Sequence, residues 1–74
     1  MIKLEIDTPY ITLQQALKLS GIIGSGGSAK AILQQNLVLV NDIPEQRRGR
    51  KLIPGDQVIV FDETLLIEKS NHEH

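Results

Sequence analysis

The sequence predicts an α+β fold in which two helices pack on a small, mostly antiparallel sheet of four to five strands. Apolar and polar residues alternate in the first seven residues and in several short segments after residue 37, which is typical of half-buried strands. Between these segments, two consecutive stretches carry apolar residues at helical spacing. With 74 residues, the chain has room for one small domain.

The first strand and the first helix have clear boundaries in the sequence. The stretch MIKLEID alternates until Thr8-Pro9 interrupts it, and we expect this strand to join the sheet beside the last strands. Thr12 and Gln15 have the spacing of a capping box, which predicts a helix start, and Gly21 ends this helix. The predicted apolar stripe of the helix consists of Leu13, Ala16 and Leu17.

The second helix is predicted to begin between residues 25 and 28 and to run to about residue 35. Asn36 follows it at a position that favours a left-handed backbone. Lys30 and Gln34 are four residues apart and therefore share one exposed face. The predicted buried stripe consists of Ala29, Ile32 and Leu33.

The remaining residues predict strands that are joined by short turns. LVLVN leads into a turn at Asn41-Asp42, and Pro44 restricts the next stretch to an edge strand or a loop. QVIVF and TLLIE are two further strands, with one turn at residues 54–56 and another at residues 62–63. The coarse order is therefore β-α-α-β-loop-β-β.

Charge is distributed unevenly along the chain, although the net formal charge is only -1. Residues 17–51 carry six basic and two acidic side chains, whereas residues 52–74 carry one basic and five acidic ones. This segregation predicts one positive face, which suits a polyanionic partner. The alternative, that the charges intermix in the folded chain, stays open on sequence alone.

The composition argues against an enzyme and against a membrane protein. The chain has no cysteine, and its two histidines, His72 and His74, lie at the C-terminal end, where they make a poor metal site. No Ser-His-Asp set is within reach. No apolar run approaches the ~20 residues that span a membrane, and the N-terminus does not look like a signal peptide. We expect a cytoplasmic, non-enzymatic protein without a metal or cofactor.

The glycine-rich stretch GIIGSGGSAK raises the question of a phosphate site. Gly24, Gly26 and Ala29 fit a dinucleotide-binding pattern, but a predicted helix rather than a strand precedes them. One interpretation is that the glycines only allow a sharp turn between two packed helices. The other is that they expose the N–H groups of a helix start, with Ser25 and Ser28 adding hydroxyls, to a phosphate.

The loop EQRRGRK carries four basic residues within five positions. Arginine donates two hydrogen bonds at once to a phosphate, and Gly49 lets the backbone bend so that its neighbours converge. Solvation alone also explains many charged loops. The coincidence of this loop with a glycine–serine helix start favours a polyanion larger than a nucleotide.

The aromatic content bears on which polyanion is bound. Tyr10 and Phe61 are the only aromatic residues, so a sheet that stacks several bases is disfavoured. Recognition of backbone and shape remains, which suits structured RNA. The predicted RNA-binding residues are Ser25, Gly26, Gly27, Ser28, Lys30, Gln34, Arg47, Arg48, Arg50 and Lys51.

Between Thr12 and Val60 the chain carries, in this order, the motifs Leu19-Ser20-Gly21, Ser25, Ala29-Lys30, residues 38–42 and Pro54-Gly55-Asp56. Their order and spacing resemble the S-four-type RNA-binding domain, the α-L motif. SGGSAK and RRGRK look most like its short, stand-alone bacterial branch, the YaaA-type proteins. The resemblance implies binding of structured RNA, in particular ribosomal RNA, and a role in ribosome assembly or translation without chemistry of its own.

The chain also departs from that family pattern. Lys30 matches a basic position of the family, and Arg47 falls where a basic residue is common. We interpret the additional charge of Arg48, Arg50 and Lys51 as compensation for missing basic side chains. Three positions at which the family often has arginine or histidine are occupied here by Thr12, Gly26 and Leu37.

Two other functions stay open on sequence alone. LVLVNDIPEQ and LIPGDQVIVF also resemble ubiquitin-like sulfur carriers, but those proteins end in Gly-Gly, whereas this chain ends in NHEH. A protein–protein adaptor with a basic face is the second alternative. We expect a monomer that binds structured RNA and no small-molecule substrate. Its single domain is predicted over residues 1–69, with the core motif at 12–60 and a flexible tail at 70–74.

Overall fold

The computed structural model of the chain describes residues 1–23 and 29–70. It has the predicted α+β fold, with two helices packed on a five-stranded, mostly antiparallel sheet. The elements in chain order are β1 (Ile2–Ile6), β2 (Ile11–Thr12), α1 (Leu13–Leu19), α2 (Ala29–Gln34), β3 (Val38–Val40), β4 (Ile43–Pro44), β5 (Lys51–Leu52), β6 (Gln57–Val60) and β7 (Glu63–Lys69).

The strand order of the main sheet is β1-β7-β6-β3-β4. Neighbouring strands are antiparallel except for β1 and β7, which run parallel with Ile2 opposite Leu65. The prediction that the N-terminal strand joins the sheet beside the last strand is therefore confirmed. The prediction for Pro44 is confirmed as well, because β4 is an edge strand, where the missing N–H of proline costs no ladder hydrogen bond.

A second, two-stranded sheet was not predicted. It pairs β2 with β5, with Ile11 opposite Leu52 and Thr12 opposite Lys51. Strands of two residues show no periodicity in a sequence, which is why the pattern did not indicate them. This small sheet fixes the end of the basic loop next to the start of α1.

The capping box of α1 is confirmed. The Thr12 hydroxyl accepts a hydrogen bond from the Gln15 N–H at 3.2 Å, and the Gln15 side chain accepts one from the Thr12 N–H at 3.0 Å. The helix ends at Leu19, and two residues later Gly21 has a φ of +80°, which only glycine adopts readily. Local sequence therefore determines both ends of α1.

Two predicted turns also have the expected backbone. Asn36, after α2, has a φ of 56°, in the left-handed region. Asn41 and Asp42 have φ values of 51° and 68°, and Val40 pairs with Ile43, which is the geometry of a two-residue type I′ hairpin turn.

The predicted turn between the last two strands is wrong by one residue. The turn is formed by Phe61 and Asp62 rather than by residues 62–63, because Val60 pairs with Glu63 in the ladder. Phe61 therefore leaves the strand and adopts a φ of 55°. The last strand also extends to Lys69, and the Ser70 N–H donates a hydrogen bond to the Ile6 carbonyl at 2.7 Å.

The core lies between the helices and the inner face of the sheet. All three predicted residues of the α1 stripe are buried, as are Ala29 and Leu33 of α2, whereas Ile32 is half-buried. In the described part of the chain, neither helix has the length or the apolarity needed to cross a membrane. The fully buried large side chains are Leu13, Leu17, Leu33, Leu52, Leu65, Ile67, Val38, Val58 and Val60.

Candidate nucleic-acid interface

The arginine loop, defined here as residues 45–51, is attached to the start of α1 through its backbone. The Leu13 N–H donates to the Arg50 carbonyl at 2.8 Å, and the Gln14 N–H donates to the Arg48 carbonyl at 3.0 Å. N–H groups in the first turn of a helix have no partner within the helix, so the loop supplies carbonyls that this turn lacks. The backbone that carries the arginines is thereby held in one place.

The other end of the loop is attached to the segment that follows α2. The Glu45 N–H donates to the Val38 carbonyl at 3.0 Å. The Gln46 side-chain amide donates to the Asn36 side chain at 2.8 Å. The arginine loop therefore connects the segment after α2, the helix that carries the predicted contacts Lys30 and Gln34, with the start of α1.

Glu45 is the internal anchor of the arginine loop. Its carboxylate accepts hydrogen bonds from Arg47 Nε at 3.1 Å, Arg47 Nη2 at 3.0 Å and Arg50 Nη1 at 3.3 Å. It also accepts the backbone N–H groups of Gln46 and Arg47, at 3.1 and 3.2 Å. The Glu45 side chain is only 10% exposed, whereas that of Arg47 is 72% exposed. One carboxylate thus holds the near side of two arginines whose outer surfaces face solvent.

The ion pair shifts the ionisation of both partners. Hydrogen bonding from the Arg47 side chain lowers the pKa of Glu45 from 4.5 to about 2, although partial burial of the carboxylate acts in the opposite direction. The same bond raises the pKa of Arg47. Both groups are therefore charged at neutral pH. Within the arginine loop, the carboxylate of Glu45 is the one negative charge among the positive ones.

The rest of the loop charge is not neutralised. Four basic side chains face one carboxylate within residues 45–51, which leaves a net charge of +3. Arg48 is exposed, and in the described ranges, 1–23 and 29–70, its side chain makes no hydrogen bond or ion pair. A depression of about 610 Å³ on this side is lined by Arg47, Gly49, Arg50 and Lys51. This arrangement is suited to holding a phosphate.

On α2, the predicted binding residues Lys30 and Gln34 are both exposed, as expected. Lys30 and Gln34 are separated by about 6 Å along the axis of α2, and Asn36, which accepts the hydrogen bond from Gln46, follows the helix two residues later. The predicted helix start with Ser25, Gly26, Gly27 and Ser28 lies outside the described residues. The phosphate site at that helix start stays a prediction.

Sequence reasoning missed two residues of this surface. In the sequence, Glu45 contributes only to the count of charges. Its spacing of two residues from Arg47 and five from Arg50 is a signal that could have indicated the ion pairs, whereas its burial has no signal in the sequence. Tyr10 entered the sequence analysis only in the argument that the chain has too few aromatic residues for a base-stacking sheet. In the structure, the Lys51 ammonium lies 4.9 Å from the centroid of the Tyr10 ring. In the described part of the chain, no group of histidine, aspartate or glutamate side chains is arranged to hold a metal ion.

Comparison with known proteins supports the sequence resemblance. The S4 domain family profile matches residues 4–68. A relative from Bacillus subtilis (strain 168), named "Probable ribosome maturation protein RlbA", is 58% identical over 55 residues, which are 74% of this chain and 78% of the relative. No solved structure matches the chain.

Proposed function

The chain belongs to the S4 domain family, and on this premise we propose that it binds structured RNA through phosphate contacts from the arginine loop and from the exposed face of α2. The observation that carries the proposal is the backbone-anchored loop with a net charge of +3. The backbone of this loop is anchored and Glu45 holds two of its guanidinium groups, so binding a phosphate costs less conformational entropy than it would in a flexible chain.

The type of contact follows from the charges and the shape of the loop. The Arg48 guanidinium has no partner among residues 1–23 and 29–70, and Arg47 and Arg50 line a concave surface. Phosphate contacts of this kind fix the position of a nucleic acid but do not read its bases. Structured RNA presents phosphates at spacings that are set by its fold, so a rigid array can select a shape.

The proposal retains the contacts that sequence analysis assigned to α2. Lys30 and Gln34 form its exposed face, and the segment with Ser25, Gly26, Gly27 and Ser28 is proposed to add backbone and hydroxyl donors. The name of the Bacillus relative contains ribosome maturation, which supports ribosomal RNA as the ligand. We propose a cytoplasmic, monomeric protein that acts by binding and not by catalysis.

The test is fluorescence anisotropy with labelled, structured fragments of ribosomal RNA over a series of salt concentrations. Arg48→Glu and Lys30→Glu are each expected to weaken binding by at least about 10-fold. Each is also expected to reduce the slope of log affinity against log salt concentration by about one unit, which corresponds to the loss of one phosphate contact. Lys3→Glu is the matched control, because Lys3 is an exposed lysine on β1, outside the proposed surface. It is expected to change the affinity by less than about 2-fold.

Two results would contradict this proposal. Equal losses in Lys3→Glu and Lys30→Glu would mean that only the net charge matters. An absence of RNA binding at low salt, together with tight binding of an acidic protein partner, would favour the adaptor alternative instead.

A further inference from the structure

We propose that a second depression, next to Tyr10, holds one unpaired base of the bound RNA; this inference rests on the proposed function. The depression has a volume of about 600 Å³. It lies between the segment that joins β1 to β2 and the outer side of α1, which contributes Gln15 and Leu19. No role in binding was assigned to this part of the chain by the sequence.

The depression exposes apolar surface that the fold does not use. Tyr10 is 43% exposed and Leu19 is 68% exposed, and both line it together with Pro9. An aromatic ring and flanking aliphatic groups are the surface on which a flat nucleobase stacks. Neither Tyr10 nor Leu19 belongs to the buried core, so the core does not account for their apolar character.

This depression is directly adjacent to the arginine loop. Lys51 lines the basic depression, and its ammonium also lies 4.9 Å from the centroid of the Tyr10 ring. The pairing of Thr12 with Lys51 holds the two depressions side by side, since Thr12 lines the one and Lys51 lines the other. One nucleotide can therefore place its base against Tyr10 while its phosphate meets Lys51.

The charges of the two depressions indicate which part of the nucleotide each accepts. Glu5 and Asp7 line the depression beside Tyr10, so a phosphate is repelled there. A carboxylate does accept hydrogen bonds from the amino group of a base. Cytosine, adenine and guanine carry such an amino group, whereas uracil offers only one ring N–H, so the site is expected to favour the amino-bearing bases over uracil.

Only an unpaired base can reach this site, because a paired base is stacked on both faces within its helix. A bulge or loop nucleotide next to a duplex presents a free base beside ordered phosphates. The inferred ligand is thus a duplex with one extruded amino-bearing base. The low aromatic content disfavours a sheet that stacks several bases. It does not disfavour this site, because one base needs only one aromatic ring, and Tyr10 lies outside the sheet.

The experiment compares three RNA hairpins of the same stem sequence at low salt: one fully paired, one with a single bulged cytidine and one with a single bulged uridine. The cytidine bulge is expected to bind at least about 5-fold more tightly than the paired stem, as stacking on one aromatic side chain allows. Tyr10→Leu is expected to remove that preference, so that the hairpin with the cytidine bulge and the fully paired hairpin bind this variant with equal affinity.

Phe61→Leu is the matched control, because Phe61 is the other aromatic residue, is exposed and does not line this depression. It is expected to leave the preference intact. If Tyr10→Leu does not fold, as judged by circular dichroism, Leu19→Gln replaces it, since Leu19 is an exposed helix residue of the same depression.

The outcomes separate this inference from the proposed function. Equal affinities for the paired and bulged hairpins, with binding still lost in Arg48→Glu, would overturn the base site and leave the phosphate surface intact. A preference that persists in Tyr10→Leu and Leu19→Gln would also overturn it. If the protein binds none of the hairpins at low salt, the proposed function and the base site both fail.

Discussion

Two loops of this molecule are each organised by one carboxylate, and they differ in what that carboxylate holds. In the arginine loop, Glu45 accepts hydrogen bonds from Arg47 and Arg50 as well as from backbone N–H groups. In the turn before β6, Asp56 accepts the Ile53 N–H at 2.9 Å and the Asn41 side-chain amide at 3.0 Å. Both carboxylates stabilise a bend in the chain.

The consequences of the two arrangements differ. Asp56 binds neutral amides, and Asn41 in turn accepts the Gln57 N–H at 3.0 Å, so the cluster connects β3 to the start of β6. Glu45 binds cations, so the atoms that it holds are parts of a charged outer surface. A carboxylate that stabilises a bend can therefore also position a binding surface when its side-chain donors are guanidinium groups, as at Glu45, and not when they are amides, as at Asp56.

Glu45→Gln is expected to have the largest effect, because it tests directly whether Glu45 positions the binding surface. The substitution keeps an acceptor for the backbone N–H groups but removes the charge that orients Arg47 and Arg50. We expect RNA affinity to fall about 5-fold, the size of a lost charge-assisted hydrogen bond of ~1 kcal/mol. Net charge alone predicts the opposite, because the loop would become more positive. Anisotropy titration of labelled RNA with this variant distinguishes the two expectations. Tighter RNA binding than that of the original protein would show that Glu45 has no positioning role.

The matched control for that experiment is Asp56→Asn. It removes the same charge from the other carboxylate-centred turn and retains an acceptor for the Ile53 N–H. We expect the RNA affinity of this variant to stay within about 2-fold of the original, since Asp56 lies outside the arginine loop. An equal loss in the two variants would mean that the affinity follows overall stability rather than loop geometry.

The pH dependence of the free energy of unfolding tests the ion pair of Glu45 independently of RNA binding. The pKa of Glu45 is lowered from 4.5 to about 2 in the folded chain, so its contribution is fully present above pH 4.5 and is lost as the pH falls towards 2. We expect the ionised Glu45 to contribute only about 1 kcal/mol to the free energy of unfolding, because solvent around the exposed Arg47 screens the ion pair. Urea unfolding of the wild type and of Glu45→Gln should differ by this amount at pH 6 and by nearly nothing at pH 2. A difference that stays constant over this range would contradict the assignment.

The smallest expected effect is that of Asp56→Ala on stability. It removes the acceptor for the Ile53 N–H and for the Asn41 amide, but both donors are exposed and can bind water instead. We expect the free energy of unfolding to fall by about 0.5–1 kcal/mol, with no change in RNA affinity. Chemical denaturation gives the first quantity. An RNA affinity that falls in parallel would mean that this turn also contributes to the binding surface.

The elements that could be predicted are those with local signals. The capping box at Thr12, the left-handed Asn36 and the Asn41-Asp42 turn depend on neighbours within a few residues, so the sequence pattern is sufficient. The turn at Phe61 was missed by one residue, because its position depends on the register between β6 and β7. Register is set by pairing across the sheet, which a single segment does not reveal.

By itself, the sequence determined the fold class, the main strands, both helices and the identity of the basic loop, because periodicity, caps and charge are properties of adjacent residues. Only the tertiary structure decided how those charges are used. It buried Glu45 against Arg47 and Arg50 and brought Lys51 over Tyr10 through the pairing of β2 with β5. Among the described residues, it left the Arg48 side chain without a partner. These contacts depend on burial or join residues about 40 positions apart, and chain closure over such distances follows from packing of the whole core rather than from local propensity.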